Sequence, residues 1–264
     1  MTIRLEKMKT QMSAAGIEYF LNDFNSQKIG LNSLVGKNLT LISLNKITCL
    51  NCNKVTKKSW GDGLCYDCYM TSPSAAPCII RPELCESHLG RGRDLEWEDE
   101  NHNQPHVVYL AQTRGIKVGV TRETQIPTRW IDQGAWKVVR FATTPYRQLA
   151  GKIEVELKQY LSDKTDWRKM LTNQMDSHHL IDTKIAMSSF LSKDFVQYID
   201  KNDEAMEFNY PVLNYPVSVT SMSLDKTEKA SGILTGIRGQ YLYFDHDQVI
   251  NIRSHSGYHV DFNY

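Results

Sequence analysis

The stretch HVVYLAQTRGIKVGVTRETQIPTRWIDQGAW, residues 106–136, decides the fold predicted for the centre of the chain. It opens with the apolar run 107–111, turns at Gly115 and continues with a second run rich in β-branched residues. Two such runs around a glycine-bearing turn predict a β-hairpin. From Pro127 the pattern becomes helical, with proline at a tolerated early position and Gly134 near the predicted helix end.

The elements that follow this hairpin bring a carboxylate to the margin of a buried face. Residues 138–142 predict a third strand, and residues 146–161 predict an amphipathic helix. Within that helix Glu154 lies beside the apolar positions Ile153 and Leu157. We therefore expect Glu154 at the edge of the core and not on an open surface.

The whole chain predicts an α+β fold with a zinc ribbon, a small mixed central sheet with flanking helices, and a C-terminal antiparallel β sheet or small barrel. The predicted segments are N-terminal strands in 1–48 that pack with the C-terminal β region, a zinc-binding region in 49–105, a central domain in 106–175, a helical linker in 176–210 and a C-terminal β domain in 211–264.

Composition is that of an ordinary folded chain. The 264 residues are 41% hydrophobic and 23% charged, which allows one large domain or two to three small ones. No apolar run is long enough to span a bilayer, and the first twenty residues lack the apolar core of a signal peptide. We therefore expect a cytoplasmic protein without a membrane partner, in which six cysteines serve as metal ligands or reduced thiols.

Positive charge is concentrated in one part of the chain. Residues 107–170 hold twelve Lys and Arg against six Asp and Glu, whereas residues 171–264 hold seven against twelve. A basic segment of this kind favours a phosphate-bearing partner, with nucleic acid, DNA or RNA, as the expectation. A solvated basic helix face would give the same distribution.

Two cysteine pairs predict a structural zinc site. Cys49 and Cys52 form one CxxC pair, and Cys65 and Cys68 form a second pair twelve residues later. Each pair can hold one ion from one side, so that together they complete the tetrahedron of thiolates that Zn²⁺ prefers. Four thiolates close the coordination sphere, so this ion would be structural. Four unrelated buried cysteines are the alternative.

A second zinc site is predicted with looser spacing. Its candidate ligands are Cys78, Cys85, His102 and His106, with His88 as a further choice of histidine. The acidic stretch 94–100 between them is predicted to be a solvated loop. Reduced, packed cysteines and surface histidines are the alternative.

Ordered motifs along the chain resemble a known family. They are CLNC with CYDC, PELC, VYLA, KVGVTR, PTRWIDQGA, DKTDWRKML, GIRGQYLYF and NIRSHSGY. Together they resemble the bacterial domain-of-unknown-function 2797 family, whose name carries no activity. The region 106–165 is also similar to the GIY-YIG nuclease superfamily, because a strand with Tyr, a strand ending in Gly, a helix with Arg and a helix with Glu follow in the same order.

This second resemblance implies a catalytic centre. Tyr109, Arg129 and Glu154 match its Tyr, Arg and metal-binding Glu, and Lys117-Val118-Gly119 stands at its second motif, where Val118 replaces an aromatic residue. A catalytic protein would hold Mg²⁺ or Mn²⁺ through Glu154. The nucleic-acid contacts predicted with this centre are Lys117, Arg122, Arg129 and Trp130.

Each matched residue also has a structural interpretation. Tyr109 can be a core aromatic residue, Arg129 can stack on Trp130 or pair with Asp132, and Glu154 can pair with Lys158 four residues later. Three functions therefore stay open: a zinc-binding, nucleic-acid-binding protein with a GIY-YIG-like core, a metal-dependent endonuclease, and a zinc-stabilised scaffold whose C-terminal β domain binds a protein partner.

Overall fold

A computed structural model describes residues 1–14, 16–176 and 179–264 of the chain. Several sheets and a few helices make up these residues, which confirms the α+β prediction. They divide into two compact units. Unit 1 comprises Met1–Met70, Leu171–Asn173 and Asn209–Tyr264, and unit 2 comprises Thr71–Met170 and Gln174–Phe208. The predicted zinc-binding region 49–105 is thus divided between the two units.

The strands are β1 (Thr2–Arg4), β2 (Lys9–Ser13), β3 (Gly16–Asn22), β4 (Lys28–Gly30), β5 (Asn38–Thr48), β6 (Val55–Thr56), β7 (His106–Gln112), β8 (Ile116–Arg122), β9 (Lys137–Thr144), β10 (Met206–Glu207), β11 (Thr220–Met222), β12 (Lys229–Arg238), β13 (Tyr241–Phe244), β14 (Gln248–Asn251) and β15 (Tyr258–Asn263). The α-helices are α1 (Tyr66–Thr71), α2 (Leu95–His102), α3 (Thr128–Asp132), α4 (Arg147–Leu157), α5 (Trp167–Leu171) and α6 (Leu180–Ser188).

Unit 1 joins the two ends of the chain in one sheet. Its strand order is β1-β15-β5-β12-β13-β14-β11, with β6 paired to β5, and the strands β2, β3 and β4 form a separate sheet. Leu39 and Leu41 of β5 and Val260 and Phe262 of β15 are buried at alternate positions. This period of two directs apolar side chains to one face, which is the core of the unit.

Unit 2 is built around a wholly buried strand. Its sheet has the order β10-β9-β7-β8, and every residue of β7 is buried. Helix α4 covers this sheet because Ala150 and Ile153 pack into the same apolar cluster as Val108 and Leu110 of β7. The apolar run at 107–111 forms the centre of the sheet, since a strand buried on both faces needs apolar side chains on both.

The helices of unit 2 differ from the sequence predictions at their ends. Helix α4 ends at Leu157 and not at 161, and the segment after Pro127 forms only the short helix α3. The acidic stretch 94–100, predicted to be a loop, lies largely in helix α2. Asp94 caps this helix by accepting a hydrogen bond from the Trp97 backbone N–H at 3.1 Å, and acidic side chains favour a helix N-terminus.

None of the helices in the described part of the chain is both long and apolar enough to cross a membrane. Residues 177 and 178, at the start of the predicted helical linker, and residue 15 of the predicted N-terminal strands lie outside the described residues.

Candidate functional site

The four cysteines of the two CxxC pairs come together in unit 1. The sulfur atoms of Cys49, Cys52, Cys65 and Cys68 all lie within 4.8 Å of one another. The Sγ atoms of Cys52 and Cys65 are 3.7 Å apart. Two thiolates bound to one tetrahedral zinc would be about 3.8 Å apart. The cluster could therefore hold zinc, as the spacing predicted.

Backbone geometry at the first pair suits thiolates. The Asn51 backbone N–H donates to the Cys49 Sγ at 3.4 Å, and its side-chain amide donates to the Cys68 Sγ at 3.3 Å. Burial opposes ionisation of the Cys49 thiol, but hydrogen bonds from the Cys52, Cys65 and Asn51 backbone lower its pKa to about 6. In the same cluster the Asn51 amide lowers the pKa of Cys68, but burial and the neighbouring thiols raise it to about 12. Thiolates are the form that binds metal, so an ion would be needed for all four cysteines to ionise together.

A second cluster lies in unit 2, and one of its members differs from the prediction. The ligand atoms of Cys78, Cys85, Glu98 and His102 all lie within 4.8 Å of one another. Among the described residues, the fourth atom comes from Glu98 and not from His106. Glu98 and His102 are four residues apart on α2, which places both side chains on one face of the helix.

The two other histidines of this region lie outside the cluster, although Nε2 of His106 and Nδ1 of His88 are buried without a hydrogen-bond partner among the described residues. The Nδ1–H of His106 donates to the Gln104 carbonyl at 2.7 Å, and burial lowers the pKa of His106 to about 3. His88 stacks on Tyr146, with ring centroids 4.5 Å apart. Among the described residues the cluster includes Glu98 and not His106, so the structure does not bring His106 to the predicted site.

Arg147 ties the segment that carries the second cluster to helix α4. Its guanidinium donates from Nε and Nη2 to the Cys78 carbonyl at 3.0 and 2.9 Å, and from Nη2 to the Ile79 carbonyl at 2.9 Å. Only 9% of Arg147 is exposed. Among the described residues it forms no ion pair with a carboxylate, and the negative groups that act on it are Cys78, Cys85 and, with a smaller effect, Glu154.

A third group of polar side chains surrounds Tyr109 on the central strand of unit 2. Tyr109 lies opposite Gly119 on β8, and a Cβ at Gly119 would come within 2.6 Å of the Tyr109 hydroxyl. Glycine is needed there because the ring crosses the neighbouring strand. The Gln133 side-chain amide donates to this hydroxyl at 2.7 Å.

Lys117, Arg129 and Glu154 interact with Tyr109 or with one another at this place. Burial raises the pKa of Tyr109, while the charge of Arg129 and a hydrogen bond from it act against that rise and Glu154 adds to it. Burial and the charge of Arg129 together lower the pKa of Lys117 to about 8, while Asp163 and Glu154 act to raise it. We call these four residues the Tyr109 centre. The structure therefore brings together the predicted Tyr, Arg and Glu, which are far apart in sequence.

Glu154 is already paired within this centre. Its Oε2 lies 3.2 Å from Nζ of Lys158, which also lies 3.4 Å from Oδ2 of Asp163. Glu154 is only 6% exposed, and burial raises its pKa while Lys158 opposes the rise. Glu154 therefore forms the ion pair with Lys158 that its structural interpretation predicted, and it also interacts with Tyr109.

Lys117 differs from Glu154 because no counter-ion pairs with it. It is 9% exposed, and it forms no ion pair or side-chain hydrogen bond among the described residues. It lines a cleft of about 370 Å³ together with Arg114, Lys164 and residues of both neighbouring loops. Asp166 and Asp176, which also line the cleft, lie near Arg114, so an anion that enters it would find Lys117 as a buried cation without an ion pair.

Trp130 and Arg122, two of the predicted nucleic-acid contacts, are in contact with other side chains of unit 2. Trp130 is 2% exposed, and its ring packs edge-on against Tyr109 and Phe208 with centroids 5.9 and 6.5 Å away. The prediction for Trp130 is corrected, because a ring enclosed in this way presents no face to a base. Arg122 is partly buried and donates to the Asn101 side chain of α2. It therefore supports the second cluster's helix.

Comparison with known proteins places the chain in a family without adding an activity. No curated protein and no solved structure matches the chain significantly. Residues 36–260 match the family described as "Protein of unknown function (DUF2797)". This match covers most of the chain and both units, and it confirms the family resemblance of the ordered motifs. The chain therefore belongs to the DUF2797 family.

Proposed function

We propose that this protein binds nucleic acid, and that the Tyr109 centre of unit 2 holds a phosphate of its backbone. The observation that carries the proposal is Lys117, a buried lysine that has no counter-ion among the described residues and lies beside Arg129. A zinc ion in the four-cysteine cluster would stabilise unit 1 as a structural element.

The energetics of Lys117 favour an anionic ligand. Burying a charged ammonium without a partner costs several kcal/mol or shifts its pKa, and the pKa near 8 records that cost. Arg129 increases the cost, because two cations repel each other in a poorly solvated place. A phosphate would offset both penalties at once, whereas a neutral ligand would leave them in place.

Arg129 suits the same ligand, and Tyr109 holds Arg129 in place. The planar guanidinium of Arg129 can donate two parallel hydrogen bonds to phosphate oxygens. Tyr109 is only 1% exposed, and its hydroxyl hydrogen-bonds with Gln133 and Arg129, so it positions the guanidinium and does not reach the ligand itself. The proposed centre therefore offers donors and positive charge, and the basic segment 107–170 supplies further attraction.

The similarity to GIY-YIG nucleases supports the same kind of ligand. Tyr109 lies on β7, Gly119 on β8, Arg129 on α3 and Glu154 on α4, which is the order of elements that the resemblance implies. We propose a GIY-YIG-like core on these grounds, with its phosphate-binding groups retained.

Binding is preferred over cleavage because Glu154 does not fit a magnesium or manganese ion in this arrangement. Its carboxylate is nearly buried and neutralised by Lys158. Among the described residues, Glu154 belongs to neither cluster of three or more possible metal ligands. Mg²⁺ keeps several waters when it binds a carboxylate, and a carboxylate that is 6% exposed and paired with Lys158 leaves little room for a hydrated ion. We therefore derive no cleavage step through such an ion.

The proposal is tested by fluorescence anisotropy with random-sequence oligonucleotides of DNA and RNA, single- and double-stranded. We expect binding that weakens steeply with salt, because phosphate contacts release counterions. Lys117→Met is expected to weaken binding about tenfold or more, the value of one charge-assisted hydrogen bond. The control is Lys193→Met, which removes an exposed lysine of the same unit outside the basic segment.

Other outcomes distinguish the alternatives. Equal loss in Lys117→Met and Lys193→Met would mean that general charge, and not the Tyr109 centre, holds the ligand. Cleavage in Mg²⁺ or Mn²⁺ that is lost in Glu154→Gln would make the protein an endonuclease. Absent or salt-insensitive binding would remove the proposal and favour a scaffold whose C-terminal β region meets a protein partner, which stays a prediction.

A further inference from the structure

We infer that the cluster of Cys78, Cys85, Glu98 and His102 in unit 2 is a second zinc site. It is separate from the four-cysteine cluster of unit 1 and independent of any role of the Tyr109 centre. Its members come from two one-turn segments, Pro77–Ile79 and the turn ending at Cys85, and from helix α2.

Distances within the cluster agree with tetrahedral coordination. The Sγ of Cys85 lies 3.5 Å from Nδ1 of His102. A sulfur and an imidazole nitrogen bound to one tetrahedral zinc would lie about 3.6 Å apart. The Glu98 carboxylate contacts the same Nδ1 atom, so both neighbours converge on the atom that would face the ion. Cys85, Glu98 and His102 are each at most 3% exposed.

The chemistry of the ligands selects the class of ion. Two thiolates and an imidazole are soft or borderline ligands that suit zinc, and they do not suit magnesium or calcium. One carboxylate completes four ligands, so the sphere can close without water. A zinc ion with two thiolates and a carboxylate would leave the centre with a net charge of about −1.

Arg147 is the second observation that points to a bound ion. This buried guanidinium donates to the carbonyls of Cys78 and Ile79, and no carboxylate pairs with it among the described residues. The anionic centre expected from two thiolates and a carboxylate around zinc would supply the missing counter-charge.

The segment that the ion would organise has little else to hold it. Residues 73–89 consist of isolated one-turn helices, and the apolar cluster around the two cysteines contains only Ala76, Cys78, Cys85 and Ile79 among the described residues. The turn Pro82–Leu84 packs directly on α4, where a Cβ at Gly151 would lie 2.2 Å from the Glu83 backbone nitrogen. So small an apolar cluster supports metal stabilisation of the segment.

The experiment measures zinc per chain in the full-length protein by mass spectrometry of the metal after gel filtration. We expect two ions in the wild type, one in Cys49→Ser and one in Cys85→Ser. His102→Ala is expected to match Cys85→Ser. His88→Phe and His106→Gln are the matched controls, because they alter the neighbouring histidines outside the cluster, and both are expected to keep two ions.

Folding failure in a variant is separated from loss of a ligand by cobalt substitution. In Cys52→Ser/Cys65→Ser, which removes the unit 1 site, we expect one bound Co²⁺ whose charge-transfer absorption corresponds to two thiolates and not four. One zinc ion in the wild type together with no cobalt in this double variant would overturn the inference. Loss of the second ion in His106→Gln with retention in His102→Ala would overturn the ligand assignment.

Discussion

Lys117 and Arg147 are both buried cations of unit 2, yet their surroundings differ. Each has 9% of its surface exposed. Arg147 donates to two carbonyl oxygens and lies beside a pair of cysteines, whereas Lys117 has no ion pair or side-chain hydrogen bond among the described residues. A buried cation that hydrogen-bonds to backbone carbonyls of another segment holds the structure together, and one that makes no such bond favours a ligand.

Because of this difference, we assign Arg147 to the stability of unit 2 and Lys117 to ligand binding by the same unit. The surroundings of Arg147 connect helix α4 to the second cysteine cluster, so its loss should lower stability. Lys117 lines an open cleft, so its loss should lower affinity and leave the fold intact or more stable. The four predictions that follow test the contrast.

The largest effect is expected for Arg147→Met. This change leaves the carbonyls of Cys78 and Ile79 without their donor and removes the charge beside the thiols. We expect the free energy of unfolding of unit 2 to fall by about 3 to 5 kcal/mol, with loss of the unit 2 zinc. Denaturant unfolding checks this, and a fall below about 1 kcal/mol would mean that Arg147 is not structural.

Lys117→Met is expected to change stability in the opposite direction. Burial holds the pKa of Lys117 near 8, against 10.5 in the unfolded chain. The folded protein therefore carries the full cost of the charged lysine below pH 8 and is relieved of it as the pH rises toward 10.5. We expect the variant to exceed the wild type by up to about 3 kcal/mol at pH 7.

The measurement for this second prediction is the difference in unfolding free energy between variant and wild type, followed with pH. The advantage of the variant should shrink as the pH rises from about 8 to about 10.5. A difference that does not depend on pH would show that Lys117 is solvated in the folded protein.

Affinity for nucleic acid should also depend on pH through Lys117. The free protein loses the Lys117 proton near pH 8, while a bound phosphate would hold that proton to higher pH. Binding should therefore weaken by about tenfold for each pH unit above 8 until the pKa of the complex is reached. Lys117→Arg stays charged and should lack this dependence, and the same dependence in that variant would assign it to another group.

The smallest effect is expected for Tyr109→Phe. The ring would keep its packing against Trp130, and the change would remove the hydroxyl that accepts hydrogen bonds from Gln133 and Arg129. We expect a loss of about 1 kcal/mol in stability, measured by denaturant unfolding. A loss similar to that of Arg147→Met would mean that Tyr109 and not Arg147 anchors the unit.

The features that the sequence predicted well depend on residues that lie close together along the chain. The CxxC pairs place two sulfurs on one knuckle whatever the rest of the chain does, and the four-cysteine cluster followed from that. The apolar runs on both sides of Gly115 predicted β7 and β8 because a wholly buried strand needs apolar residues at nearly every position.

What the sequence did not predict depends on tertiary placement. Helix α2 has no apolar face, so the sequence of this acidic stretch predicted a loop. For that reason Glu98 was not predicted as a candidate ligand. The spacing of Glu98 and His102 at i and i+4 could have predicted that both side chains lie on one helix face. That prediction requires a helix, and the sequence evidence for the helix was Asp94 as its N-cap. The burial of Trp130 arises from Phe208, which is distant in sequence.

The central claim is tested most directly by measuring the pKa of Lys117 by NMR in lysine-labelled protein, with and without a bound oligonucleotide. Lys117→Met assigns the resonance. We expect a pKa of about 8 in the free protein and a clear rise on binding, because a phosphate would pair with Lys117 as a counter-ion. A pKa near 10.5 in the free protein, or one that binding leaves unchanged, would contradict it.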